Sequence, residues 1–331
     1  MRLSIIIVNY KAPQLVINCL NSVYKYNTNN VEIFVVDNDS NDGLESILQN
    51  EFPDIFFIQM GYNAGFARAN NAAIKVAKGD NILLLNSDTI NIDNAINKCD
   101  KLLRESLFSA AGVQLLNEDS TPQISGNYAM KGGLNYLLPL PFTGAFLKAI
   151  ANVLKVTKPS VASTKKTIEV DWINGAFLMV KNNVIPTSGL LDEDFFLYAE
   201  EAEWCSRIKR NGKLCIFGEL NIYHLQGVSS NKAFGSEGKG YFNLFDKKGL
   251  QIMLSNFVRI RKRFGLFWFL FDLVFYLLTV PVFFTCVIFS KLSSNSKYNF
   301  KQVKGFSKNI FSLAKFIPSI IKNKPFFYKV L

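Results

Sequence analysis

Four short apolar runs constrain this chain more than anything else in it. They read LSIIIVN (3–9), VEIFVVD (31–37), DIFFIQ (54–59) and NILLLNSD (81–88). Each is continuous rather than alternating and too short for a core helix, as expected of a strand covered on both faces. Between them, PQLVINCLNSVYKY sets Leu15, Cys19, Leu20 and Val23 at helical spacing, GLESILQN reads as a second helix, and AGFARANNAAIKVAKG as a third, closed by Gly79. Strand and helix alternating over about 90 residues predict βαβ units and a mostly parallel sheet. With 331 residues, 49% of them apolar, the chain can hold one large α/β domain plus an appendage, or two modest domains. The opening MRLSIIIVNY has no small-residue cleavage site and reads as a buried first strand rather than a signal peptide.

Ligands of such sheets bind beyond the carboxyl ends of the strands. Those ends carry Asn9 and Tyr10, then Asp37 and Asn38, then Asn86, Ser87 and Asp88. The turn after the first strand, NYKAPQ, lacks the glycines of a dinucleotide site, which speaks against a nucleotide-dependent oxidoreductase, and no P-loop is present. What remains is a crevice that reads a nucleotide with side chains. Tyr10 can stack on a base, Asp37 can accept from base N–H groups or ribose hydroxyls, and Asp88 is an oxygen ligand of the kind Mg²⁺ or Mn²⁺ takes. Strand-end Asp and Asn also cap loops, and that reading stays open for each of them. The five cysteines are scattered and odd in number, which predicts a reducing compartment and no cysteine-built zinc site.

The stretches SIIIVNY, VVDNDSNDG, GYNAGFARANN and LLLNSDT, followed by VDWINGAFLMVKN, GLLDEDFFLYAEEAEWCSRIKRNG and IYHLQGVSS, resemble in order and spacing the motifs of family 2 glycosyltransferases, in particular their rhamnosyltransferase-like branch. The resemblance covers roughly residues 3 to 230 and is specific as a set, although each motif alone is weak. It implies the GT-A fold and transfer of a sugar from a nucleotide diphosphate with inversion. By the same resemblance NSD stands where the family has its metal-binding D-x-D. Asn86 departs from the first acid, which leaves Asp88 as the ligand. His224, the single histidine of the chain, stands where members of this fold class often place a residue beside the diphosphate, and becomes the second metal ligand; a packing role is the alternative. YAEEAEW (198–204) resembles the acidic motif that supplies the base. Glu201 takes that place, with Glu200 and Glu203 as alternatives, and favourable charge at a helix N-terminus is the competing explanation for all three. Arg68 falls in a donor-contacting segment, where a guanidinium can pair with phosphate or simply lie at the surface. Trp172 and Asn174 fall on the acceptor side, Trp172 as a stacking platform or as core.

The net charge of +11 is uneven. From Arg259 to the C-terminus there are 13 Lys/Arg against Asp272 alone, so the rest of the chain is near neutral. Residues 238–258 read as a helix with an exposed polar face. FGLFWFLFDLVFYLLTVPVFFTCVIFS (264–290) follows, long enough to span a bilayer. Basic residues flank it on both sides, which disfavours a single crossing and suggests a hairpin broken at Pro281 or a helix lying in the interface. Further on, Val303, Phe306, Ile310, Leu313 and Ile317 form an apolar stripe, with Lys301, Lys304, Lys308 and Lys315 on other faces, as suits an anionic membrane surface. Nucleic acid is the weaker partner, because the aromatics lie in long apolar runs rather than interleaved with basic residues.

The expected arrangement is a GT-A catalytic domain over 1–235, with a nucleotide-sugar half (1–116), a variable insert (117–169) and an acceptor half (170–235), followed by a helical, basic, membrane-associated region over 236–331. Within the insert, LNYLLPLPFTGAFLKAIANVLKV (134–156) is an acceptor lid or a second membrane contact. The expected function is an inverting hexosyltransferase using Mn²⁺ or Mg²⁺, peripheral or monotopic at the cytoplasmic face of a bacterial inner membrane. It would move rhamnose from dTDP-rhamnose onto a lipid-linked or polysaccharide acceptor. A UDP-sugar donor and a non-catalytic glycan- or nucleotide-binding relative are the alternatives.

Overall fold

The computed structural model describes every residue except 1, 27–28, 129–131, 157–159, 226, 238–242 and 293–297. Its strands are β1 (Leu3–Asn9), β2 (Val31–Asp37), β3 (Phe56–Gln59), β4 (Asn81–Asn86), β5 (Thr89–Asn91), β6 (Phe108–Leu116), β7 (Gly126–Asn127), β8 (Ser160–Val161), β9 (Thr167–Val170), β10 (Trp172–Ile173), β11 (Phe177–Lys181) and β12 (Lys213–His224). Its α-helices are α1 (Pro13–Tyr24), α2 (Leu44–Glu51), α3 (Gly65–Ile74), α4 (Ala95–Glu105), α5 (Thr143–Val153), α6 (Ile185–Ser188), α7 (Glu200–Ile208), α8 (Val228–Phe234), α9 (Lys247–Leu292), α10 (Phe300–Leu313) and α11 (Ile317–Lys322).

The chain divides into two units. The first comprises residues 1–129, 159–196 and 200–233; the second comprises 130–158, 197–199 and 234–331. Most of the insert expected inside the catalytic domain, including α5, therefore belongs to the same unit as the C-terminal helices.

In the first unit the sheet runs β3-β2-β1-β4-β11-β6-β12-β5, with β9 also paired to β12. β1 to β4 are parallel, as the βαβ pattern predicts. Beyond β4 the sheet is mixed: β11 lies antiparallel to β4 and β6, and β12 is parallel to β6 but antiparallel to β5. Both faces are covered. Leu3, Ile5 and Ile7 of β1 pack with Val16, Cys19 and Leu20 of α1 on one side, while Ile6 packs with Ala67 and Ala73 of α3 on the other. Period-2 alternation thus feeds two cores, each buried Ile, Leu or Val contributing about 1.5–3 kcal/mol. The five cysteines are free thiols. Burial pushes Cys19 up to about 12, so it is an inert packing residue beneath the β4–β5 turn.

The second unit is helical. α9 is two helices joined at Gly265, whose φ of 89° and ψ of −177° a residue with a Cβ rarely adopts. The expected break at Pro281 is not there; the helix continues through it. The segment before the kink is a core helix rather than one with an exposed polar face. Gln251 and Ser255 are fully buried, and Gln251 donates to the Tyr328 carbonyl and accepts from the Val330 amide, pinning the C-terminal segment. The stripe of α10 also turns inward. Val303, Phe306, Ile310 and Leu313 are buried within the unit, so the apolar stripe of this helix covers the protein's own body. After Gly265 the pattern reverses. Phe269, Tyr276, Phe283 and Val287 are buried, whereas Phe267, Val274, Leu278, Phe284 and Phe289 are about half or more exposed.

Candidate functional site

The site is built on the carboxyl ends of the sheet. Asn86 ends β4, Ser87 and Asp88 turn, and β5 begins at Thr89. The register of β12 on β5 sets His224 opposite Thr89, one residue from Asp88. The Leu225 amide donates to the Asp88 carbonyl at 2.8 Å and locks that register. His224 Nε2 consequently lies 3.4 Å from Asp88 Oδ1, with both side chains buried. Asp88 Oδ1 has no hydrogen-bond partner among the described residues. A buried, unsatisfied carboxylate oxygen beside an imidazole nitrogen is costly unless a cation joins them. The spacing is close to the roughly 3 Å between adjacent ligands of one octahedral ion. One carboxylate and one imidazole leave the remaining positions to water and phosphate oxygens, and the nitrogen ligand suits manganese. The two residues therefore fit a divalent cation, although no cluster of three or more ligating side chains occurs among the described residues.

The acidic segment is linked to this turn through the sheet. The Asn86 amide donates to the Ala176 carbonyl, next to Gly175 and just before β11. Glu201 packs over Gly175: a Cβ placed there would meet Glu201 Cγ at 3.3 Å. The Trp172 indole N–H donates to Glu201 Oε1 at 3.3 Å, so Trp172 orients the candidate base. Asn174 spends its side chain on backbone, donating to the Ile124 carbonyl and accepting from the Ala176 amide. Glu203 is committed elsewhere. It forms an ion pair with Arg207 at 2.6 Å, and Arg207 also donates to the Ser188 and Leu190 carbonyls. Glu200 and Glu201, both buried in the first turn of α7, lie where the helix dipole favours an ionised carboxylate. The turn into α7 is strained. Tyr198 and Ala199 are successive non-glycine residues with φ of 73° and 70°, a cost of about 1–3 kcal/mol each.

Gly175→Ala would force Glu201 to yield by a few tenths of an ångström. We expect turnover to fall about 3- to 10-fold, with thermal stability and nucleotide affinity little changed; steady-state kinetics beside a melting curve checks this.

Several motif residues hold the crevice together. Asp37 accepts from Asn9 Nδ2 (2.7 Å), the Ser40 amide (2.8 Å) and Gln59 Nε2 (3.1 Å), most of its acceptor capacity. Asn38 clamps the start of α3, accepting from the Ala64 amide and donating to the Gly65 carbonyl. Gly65 has φ of 74° and lies against the Phe196 backbone, where a Cβ would clash at 2.1 Å. Arg68 Nε donates to the Glu193 carbonyl, and Asn71 exchanges hydrogen bonds with the Leu191 backbone. GFARANN therefore holds the 191–196 segment that leads into α7. Tyr10 is half-buried with Lys11 Nζ 5.4 Å from its ring centre.

Residues 4–144 match the family model described as Glycosyl transferase family 2. The chain carries a family 2 glycosyltransferase domain. It is 27% identical over 213 residues to the low-salt glycan biosynthesis hexosyltransferase Agl10 of Haloferax volcanii, covering 63% of this chain and 62% of that protein. It is 30% identical over 148 residues to WfaP of Escherichia coli, a UDP-Glc:alpha-D-GlcNAc-diphosphoundecaprenol beta-1,3-glucosyltransferase, covering 44% and 55%. The chain thus matches less than two thirds of the length of these curated relatives. Among solved structures it resembles the mannosyltransferase PcManGT of Pyrobaculum calidifontis in complex with GDP-Man and Mn²⁺, with a TM-score of 0.52, 14% identity, and coverage of 95% and 86%. That likeness shows the GT-A-like fold.

Within this family 2 domain, sequence reasoning missed Gln123. It is buried in the variable insert, outside every motif, and hydrogen-bonds to both the ring and the carbonyl of His224. No spacing signal could have found it, because its partner lies 101 residues away.

Proposed function

We propose that this chain is an inverting glycosyltransferase that moves a hexosyl group from a nucleotide-diphospho-sugar to a glycan or lipid-linked hydroxyl in envelope glycan assembly. The observation that carries the proposal is the partnerless Asp88 Oδ1 facing His224 Nε2 at the carboxyl ends of the strands of a family 2 domain. Asp88 and His224 would hold a divalent cation, which when bound neutralises the leaving diphosphate. Glu201, oriented by Trp172, takes the proton of the acceptor hydroxyl as that oxygen bonds to the anomeric carbon. The bond from that carbon to the phosphate oxygen breaks, and the nucleoside diphosphate departs with its electron pair. Inversion follows from attack on the face opposite the leaving group. The rhamnosyltransferase-like motif order supports dTDP-rhamnose as donor, and the likeness to a UDP-glucose-dependent relative supports a UDP-sugar.

The second unit supports membrane association. It contains a helix long and apolar enough to cross a bilayer, most of whose apolar window is exposed. α5 and the residues just after it add exposed Phe146, Val153, Leu154 and Val156. The basic stretch from Arg259 onward suits anionic lipid on a cytoplasmic face.

Calorimetric titration of UDP, dTDP and GDP, with and without Mn²⁺, tests the site. We expect metal-dependent binding that weakens at least about 10-fold in Asp88→Asn and His224→Ala. Tight binding unaffected by both variants and by chelation would sink the assignment of these two residues.

A further inference from the structure

We propose that Gln123 is a positioning residue that fixes His224 as its Nδ1–H tautomer, so that Nε2 turns a lone pair toward Asp88. The inference deepens the proposed function and rests on Asp88 and His224 being the cation ligands.

Which nitrogen of a histidine carries the proton is set by the partner of the other nitrogen. His224 Nδ1 lies 2.9 Å from Gln123 Oε1. The assignment turns on which end of the Gln123 amide faces the ring, and two independent constraints decide it. First, Gln123 Nε2 lies 2.7 Å from the His224 carbonyl oxygen, which can only accept. Second, Nε2 donates at 2.7 Å to Asn117 Oδ1, and the direction of that bond is fixed by an acid. Asp119 accepts from the Thr121 hydroxyl, which leaves Thr121 Oγ1 to accept from Asn117 Nδ2 at 2.9 Å. Asn117 therefore presents its oxygen to Gln123. Hydrogen bonds from the Thr121 hydroxyl and amide hold the Asp119 carboxyl below its usual range, so it remains an acceptor. From His224 Nδ1 through Gln123, Asn117 and Thr121, each side chain thus donates to the next, ending at Asp119.

The backbone holds this relay in place. The Gln123 amide donates to the Leu115 carbonyl at 2.8 Å, and the Asn117 amide to the Thr121 carbonyl at 2.8 Å. The consequence lies at the other ring nitrogen. With the proton on Nδ1, no proton stands between Nε2 and Asp88 Oδ1, which agrees with that oxygen lacking a hydrogen bond. Two lone pairs 3.4 Å apart in a buried site are arranged for a cation rather than for each other.

The chain has a single histidine, so ¹⁵N-histidine labelling reports on one ring. The measurement is a long-range nitrogen–proton spectrum of the metal-free protein, at a pH where the ring is neutral, paired with Mn²⁺ titration followed by electron paramagnetic resonance. We expect wild type to show the proton on Nδ1. Gln123→Met should shift a substantial population to Nε2–H and weaken Mn²⁺ binding about 10- to 100-fold. Gln123→Glu, which keeps an acceptor for Nδ1–H, should restore the wild-type tautomer, a rescue that loss of packing would not show. A proton on Nε2 in wild type overturns the proposal, even if neither variant folds. So does a Gln123→Met protein with unchanged tautomer and unchanged Mn²⁺ affinity. Nδ1–H in a wild type that binds no Mn²⁺ supports the tautomer assignment and counts against the ligand reading alone.

Discussion

Glu201→Gln is expected to lower turnover by about 10²–10⁴-fold while leaving metal-dependent nucleotide binding at the wild-type level. The substitution keeps the shape of the side chain and its packing over Gly175, and the new amide oxygen can still accept from Trp172. It removes only the capacity to take a proton. Glu203 cannot substitute, because its carboxylate is bound by Arg207 and that pair anchors α7 to the 188–190 segment. A single-turnover assay with calorimetry on the same preparation separates chemistry from binding. Transfer at wild-type rate would remove Glu201 as base and move the role to Glu200. Nucleotide binding with no transfer by the wild type against any glycan or lipid-linked acceptor would favour a non-catalytic binding protein.

The parallel half of the sheet was legible because its evidence is local. A buried strand must be continuously apolar, and βαβ units repeat that signal at short range. The meeting of Asp88 and His224 was legible only through motif order. It depends on the register of β12 against β5, more than 130 residues apart, and periodicity carries no register information. Gln123 was illegible for the same reason, and its segment offered no motif. The C-terminal misreadings have another origin. An apolar stripe reports that a helix has something to bury, not what covers it, and in α10 the cover is the protein itself. Pro281 is the stronger breaker on paper, yet the chain bends at Gly265, in a backbone conformation open to glycine.

Those corrections narrow the surface proposed to face a membrane and sharpen its test. With α10 turned inward, the exposed apolar residues concentrate on α9 after Gly265 and on α5. The one acid of the apolar run, Asp272, is buried against Gly133, so the exposed face of that run carries no charge. Replacing Phe267, Leu278 and Phe289, which are 72%, 56% and 66% exposed, removes three side chains that burial in lipid would stabilise. At about 1–2 kcal/mol each for the exposed fraction, the triple variant F267E/L278E/F289E loses about 3–6 kcal/mol of partitioning, a weakening of at least 100-fold. Folding should survive, since none of the three belongs to the buried face of α9. Co-sedimentation with phosphatidylglycerol-containing vesicles measures the loss, and circular dichroism checks the fold. Binding of the wild type should also weaken with added salt, because the 13 basic residues from Arg259 onward contribute a screened attraction to anionic headgroups. Binding that resists salt but collapses in the triple variant would place the affinity in apolar insertion alone. Wild-type protein that stays in the supernatant, or a triple variant that sediments as fully as wild type, would remove the membrane from the role of this face.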